Sequence, residues 1–523
     1  MWSWPTFLPW HIHLITITIT FLVTWLYSLK GEFLIDDDFG VAKFSDHLDK
    51  DGNLVTTYKH KVDDKEVDFK HTQFNPYFVF PFTIIRWLRL NLCKKKKLIG
   101  KDKEGKELWG HVQDPFKHHI ISLALFYTNL ILVYIFISKL LNQEVAFYTV
   151  LLFTVYPIAS QPVAWISGYG YALSLSCILL TLITSLLDIP IIATLVLIPL
   201  FSYIACAGLM TGCFLPIILA CLGKYDCSVL SALVGVPFFY KQGNEFISLR
   251  FSEFRKQNMS RSTFITWKKI FVVVKTLYYY IKLAIFPRSL GLFHVWGYHY
   301  NDELERPNLM FLLGVATLSA IGVAFYYGSN EIRLAIIWFF TFLIPFSNVV
   351  TGQQFISDRY IFIPGLAVCF LIAYLLGNTY IYYLILGAFL VRTTSHLPTF
   401  RNKIAFYESN FHNFPKSEVS LGNLGVELRN VGYMGWAVDI WRKASEINPD
   451  YSVAWYNLHS AFKSGGALEL SRDALEKCCK SKLQSFPEMW KEELKQLDNY
   501  IASKKGSRLD SIINDYTRGF SCK

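Results

Sequence analysis

Uninterrupted apolar blocks of bilayer-spanning length decide what this chain can fold into. Eleven stand out: Pro9–Leu29, His119–Leu141, Val145–Trp165, Tyr171–Leu187, Pro190–Ala207, Leu209–Leu222, Phe264–Phe286, Leu309–Gly328, Ile332–Phe346, Tyr360–Leu376 and Tyr380–Leu397. Crossing about 30 Å of hydrocarbon takes roughly 20 mostly apolar residues. No water reaches the backbone inside that slab, so each block must satisfy its own hydrogen bonds as a helix. The expected fold class is all-α, a polytopic bundle of about eleven spans. Val229–Tyr240 is apolar too, but too short to cross, and reads as a re-entrant or packed segment.

Lysines and arginines near the span ends orient the bundle. Lys241, Arg250, Arg255, Lys256, Arg261, Lys268 and Lys269 fall on one side, together with Lys139 and Arg333, if eleven spans alternate. Positive loops stay cytoplasmic, which puts the N-terminus on the cytoplasmic or matrix side and the C-terminal region opposite. The sequon Asn258-Met259-Ser260 then lies inside and escapes glycosylation. The N-terminus lacks a basic region with a cleavage site, so the first span is expected to be retained. Net charge is +11, yet no basic domain stands apart, which argues against nucleic acid as a partner. The run Lys94–Lys97 reads either as a solvated loop or as a contact for anionic membrane lipids. Half of the ten cysteines lie within spans, and none pair in CxxC spacing, so neither a disulfide framework nor a metal site is indicated.

Three regions follow: a bundle over 1–400, repeats over 401–505 and a tail over 506–523. Within the bundle, the outer loop 30–117 is long enough to carry its own structure. Its segment Pro76–Leu92 has the look of an interfacial helix with Arg86 and Arg89 snorkelling. Beyond the last span the hydropathy collapses, and Ser417–Asp450 aligns with the segment from Tyr451 at a shift of 34 residues. Leu424 pairs with Leu458, Gly432 with Gly466, and Ala444 with Cys478. That period, with small residues where helices cross, is the tetratricopeptide pattern. Pro487–Lys505, carrying Trp490, Leu494, Leu497 and Ile501, reads as a capping helix. Such repeats would present a surface for an acceptor or partner protein.

The sharpest local feature is Asp36-Asp37-Asp38 directly after the first span. Crowded carboxylates repel one another, and one that keeps its proton more tightly suits general-base work on a hydroxyl. A solvated acidic turn is the plainer reading. Further along come Pro115-Phe116-Lys117-His118-His119, Phe153-Thr154-Val155-Tyr156-Pro157 leading to Ala164-Trp165-Ile166-Ser167-Gly168, Tyr280–Pro287, Pro345-Phe346-Ser347-Asn348 and Ser357-Asp358-Arg359-Tyr360. In this order, and with the repeats behind them, they make the chain resemble the transmembrane-and-tetratricopeptide family of O-mannosyltransferases, within the polyprenyl-phosphate-sugar glycosyltransferases of GT-C fold. The resemblance covers about residues 9 to 480, with gaps in the first loop and around 223–263.

The resemblance implies a GT-C-like bundle and inverting transfer of a sugar, mannose in the family's name, from a polyprenyl phosphate to a protein hydroxyl on the outer face. It needs no cofactor. Asp36 or Asp37 would take the acceptor proton. Arg359 would hold the donor phosphate bidentately, seconded by His119 and Lys282. The structural alternative for Arg359 is a salt bridge with Asp358 or the acidic loop. The chain also departs from the family: Tyr156, Gln161 and Tyr169 stand where a histidine, a glutamate and an arginine are expected. Two readings stay open, a working membrane glycosyltransferase and a catalytically inactive accessory or scaffold subunit of a membrane assembly. A transporter is disfavoured, because the spans hold almost no charge and no inverted repeat.

Overall fold

The computed structural model describes residues 9–34, 47–48, 54–55, 59–62, 65–68, 88–101, 105, 107–187, 189–208, 210–256, 269–292, 294, 306–348, 356–481 and 487–519. Two compact units emerge, Met1–Ile247 with Trp267–Phe406, and Ser248–Thr266 with Tyr407–Lys523.

The first unit is mostly helical. Its helices are α1 (Trp10–Trp25), α2 (Pro115–Leu140), α3 (Gln143–Thr154), α4 (Ser160–Ala164), α5 (Tyr169–Leu186), α6 (Ile191–Gly208), α7 (Leu215–Cys221), α8 (Tyr225–Lys256), α9 (Lys269–Ile285), α10 (Leu309–Tyr327), α11 (Asn330–Leu343), α12 (Phe362–Leu376) and α13 (Tyr380–His396). Among the described residues, five stretches are long and apolar enough to cross a membrane: Trp10–Lys30, Pro115–Leu140, Ile166–Leu186, Leu309–Tyr327 and Asp358–Leu376. A sixth is counted if Gln143–Thr154 and Pro157–Ala164, bent by 53°, form one broken span. Pro157 explains that break, since it lacks the amide a continuing helix would use. Along α10 only Gly314 is buried, although the helix is apolar all round. Such a helix needs a non-aqueous neighbour.

Several polar groups inside these helices are satisfied locally or across helices, as hydrocarbon demands. Thr16, Thr18, Thr20 and Thr24 of α1 donate back to the carbonyls of Ile12, Leu14, Thr16 and Thr20. Asn129 of α2 donates to Ala172 O at 3.0 Å and accepts from Ser176 at 2.6 Å, joining α2 to α5. At the centre Trp25, Phe126, Phe153 and Phe362 meet ring to ring. The Trp25 indole donates to Thr154 O at 2.8 Å.

The structure refines the sequence reading at three places. The first loop carries structure of its own, and it departs from the all-α expectation: it holds strand pairs β1 (His47–Leu48) with β2 (Leu54–Val55), β3 (Lys59–Val62) with β4 (Lys65–Asp68), and β5 (Lys94–Lys101) with β6 (Glu107–Gln113), all antiparallel. Gly105, at φ +82°, sits between the last two. Arg89 does not snorkel; it is buried against α2 and Ile166, while Arg86 lies outside the described residues. Val229–Tyr240 is a packed segment within α8, which carries on through it to Lys256 despite Pro237, with Phe238 buried against Cys206 and Cys213.

The second unit contains two helical hairpins, α15 (Glu418–Asn430) with α16 (Met434–Ile447) and α17 (Ser452–Ser464) with α18 (Leu468–Lys480). α14 (Lys403–Asn413) precedes them and α19 (Pro487–Gly519) follows. Gly432 and Gly466 occupy the two hairpin turns at φ +93° and +75°, a conformation that favours glycine. Leu424, Leu458, Ala444 and Cys478 are all buried at equivalent places. A Cβ on Gly425 would collide with the Trp441 indole, so a small residue is required where α15 crosses α16. Trp490 of α19 packs with Leu475 and Cys478. α19 continues past Lys505 to Gly519, beyond the expected cap.

Candidate functional site

The polar centre of the bundle is built where helices break. After Pro157 the chain makes a short turn, the five-residue α4, and an extended residue at Trp165 (φ −90°, ψ 123°). A second break, at the extended Ser357, leads into a 3-10 turn at Asp358–Ile361 that packs against α4. Gln161 ties the two together. Its Oε1 accepts from the Arg359 backbone N–H at 2.9 Å and from the Ser357 hydroxyl at 3.3 Å. The Arg359 guanidinium then stands 5.1 Å from the Trp165 ring and 5.3 Å from the Tyr360 ring. Gln161 and Trp165 are each 2% exposed, and among the described residues Gln161 Nε2 and Trp165 Nε1 have no hydrogen-bond partner.

Asp358 is turned away from Arg359. Its carboxylate takes His294 Nε2 at 2.8 Å and Gly291 N–H at 2.6 Å, and His294 Nδ1 meets the Tyr279 hydroxyl at 2.9 Å. That relay fixes the segment after α9 to the turn that carries Arg359.

His119 is 1% exposed in the first turn and a half of α2, and its ring lies against the Gly31 backbone. A Cβ on Gly31 would lie 2.7 Å from its Nε2, so the chain leaving the first span passes directly against this imidazole. Glu32 N–H then bonds Arg401 O at 3.0 Å. Asp36, Asp37 and Asp38, farther along the same strand of chain, lie outside the described residues.

Arg89 was not singled out for the site, although it belongs to the polar centre. Its guanidinium donates to His118 O at 3.0 Å, Ser122 Oγ at 2.8 Å and Ile166 O at 3.3 Å, and covers the Tyr169 ring at 4.3 Å. Its amphipathic surroundings in sequence give no sign of this, because a hydrogen-bonded arginine and a snorkelling one share the same pattern. Next to it, burial pushes the Cys93 thiol up to about 11 against the opposing pull of Arg89 and Lys117, which disfavours the thiolate at neutral pH.

The structure therefore brings Arg359 together with Gln161 and Trp165, and sets His119 on a helix that also packs against α4. Lys282, exposed on the last turn of α9, is not part of this buried cluster. Tyr156 is fully buried; its hydroxyl donates to Ala284 O at 2.9 Å and its ring fills the space a Cβ on Gly365 would need. Among the described residues no group of His, Cys, Asp and Glu is arranged to hold a metal ion. No protein-family model matches the chain, and no curated protein matches it.

Proposed function

We propose that this chain is a membrane glycosyltransferase that moves a sugar from a polyprenyl phosphate to a Ser or Thr hydroxyl of a protein on the side opposite the cytoplasm. In this reading the bundle is GT-C-like with about eleven spans, some of them short or broken, and the helical hairpins are tetratricopeptide repeats that present the acceptor. The observation that carries it is the buried donor set beside Arg359. Among the described residues, Gln161 Nε2 and Trp165 Nε1 have hydrogen to give and nothing to give it to. Each such group costs about 1–3 kcal/mol when left unpaired. Donors gathered beside a guanidinium suit an oxyanion such as a phosphate.

In the proposed reaction Asp36 or Asp37 removes the acceptor hydroxyl proton. The oxygen attacks the anomeric carbon while the bond from that carbon to the phosphate oxygen breaks, inverting the centre. The polyprenyl phosphate leaves with the bonding pair, and the Arg359 guanidinium offsets its charge. Membranes supplied with a radiolabelled polyprenyl-phosphate sugar test this. Asp37→Asn should abolish transfer to protein; unchanged transfer removes Asp37 from the chemistry.

A second reading is favoured by one observation: the neutral replacements are engaged in packing. Tyr156 is locked on Ala284 and Gly365, and Gln161 Oε1 is already shared between Arg359 and Ser357. As a scaffold subunit the wild-type chain would transfer no sugar and would co-purify with fixed partners in whole-number ratio.

A further inference from the structure

We propose that the β5–β6 hairpin is a headgroup-binding wing that lies on anionic phospholipid. The inference needs only that α2 crosses a membrane, and is independent of any sugar transfer. The hairpin is tied to the first turn of α2 by three bonds. Asp114 N–H donates to Cys93 O at 2.9 Å, Lys117 Nζ donates to Lys94 O at 2.7 Å, and Lys95 Nζ pairs with Asp114 at 3.1 Å. Its base therefore starts where the span starts, in the headgroup layer, beside the exposed apolar Leu92, Phe116 and Ile120.

Strand alternation sets the face. Leu98 is paired with Trp109 and Lys96 with His111, and side chains at these places share one side of the ladder. Trp109 is 49% exposed and Leu98 39%, with the Lys96 ammonium 5.9 Å from the indole centroid. An exposed Trp–Leu pair flanked by lysines matches the interface of a bilayer, where an indole sits at headgroup depth and ammonium groups reach phosphate. Between Lys94 and Asp114 seven lysines stand against four acidic residues. Lys95 is partly neutralised by Asp114; of the exposed lysines, Lys96 and Lys101 share the Trp109 side of the ladder and read lipid charge directly, while Lys97, on the opposite side, adds to the charge of the hairpin. The favoured ligand is a phospholipid with a net negative headgroup.

The test uses the full chain in nanodiscs of phosphatidylcholine alone or with about one third phosphatidylglycerol, followed by hydrogen exchange of peptides within 94–113. Exchange should slow several-fold in the anionic discs and return to the zwitterionic rate in 0.5 M salt. The triple variant Lys96→Gln, Lys97→Gln, Lys101→Gln should lose the difference while the amides of α2 exchange as before, since those lysines together favour anionic lipid by more than about tenfold. Equal exchange in both lipids overturns the proposal. So does a lipid effect that survives the triple variant, or an acidic protein retained by the wild type and lost by the variant without any lipid effect.

Discussion

Gln161 Oε1 accepts the backbone N–H of Arg359 at 2.9 Å, joining two helix breaks 198 positions apart in the chain. This bond sets where the Arg359 guanidinium lies against Trp165. Gln161→Ala would leave the Arg359 amide and the Ser357 hydroxyl facing apolar surroundings, at a cost of about 2 kcal/mol. Gln161→Glu retains an acceptor for both. Thermal unfolding in detergent should therefore drop clearly for the alanine variant and less for the glutamate one. An equal drop for the two would mean that the side-chain acceptor does not matter there.

The contact between Gly31 and His119 makes a separate prediction. A methyl group at position 31 would lie 2.7 Å from His119 Nε2 and 3.0 Å from Phe400 O. Gly31→Ala should lower stability by roughly 1–3 kcal/mol through overpacking. Adding His119→Ala should relieve part of the loss, because the imidazole clash disappears while the Phe400 carbonyl stays. Measured as a double-mutant cycle, the coupling should be on the order of 1 kcal/mol. Strict additivity would rule out the direct contact.

How much of this was legible beforehand differs from element to element, and the reasons are physical. Gly432 and Gly466 could be read because a fixed offset repeats the same turn, and a turn that needs positive φ selects glycine each time. The apolar blocks were legible as helices, since length and hydropathy are local properties. Their number as full spans was not, because α7 and α11 end after 7 and 14 residues, and hydropathy does not register where a backbone bends. Arg359 could be suspected from its motif, yet its partner could not. Asp358 is the neighbour in sequence, but the 3-10 turn sends the two side chains apart and gives Asp358 to His294. The β5–β6 hairpin was hidden by its lysines, which erase the apolar alternation that marks a half-buried strand.

Arg89 offers a sharper test of what holds the first loop to the bundle. Its guanidinium bonds two carbonyls and a hydroxyl while 5% exposed. Hydrogen bonds from a buried charged group contribute about 1.5–3 kcal/mol. Arg89→Ala should lower the unfolding temperature more than any other single change in the loop. Arg89→Lys should restore little, since one ammonium cannot span three acceptors held in a planar fork. Limited proteolysis between 88 and 114 should speed up in both variants. Unaltered cleavage in Arg89→Ala would show that other contacts hold the loop.

The second unit should respond to acid through Glu493. Its carboxylate accepts from Lys463 at 2.8 Å and contacts His459 Nε2 at 3.2 Å, joining α17 to α19. Burial raises this carboxyl, but the bonds and charges of Lys463 and His459 more than reverse the effect and hold it below the ordinary carboxylate range. A group depressed in the folded state stabilises above its unfolded value, and that contribution fades as pH falls through the folded value. The α17–α19 contact should thus weaken as pH drops from about 5 toward 3. Because the pair is partly exposed, the amount should stay within about 1 kcal/mol and shrink in salt. Glu493→Gln should flatten this acid limb while leaving the helices formed. Hydrogen exchange of α19 amides against pH, in wild type and variant, reads the difference directly. Parallel pH profiles in the two proteins would assign the acid response to other carboxylates.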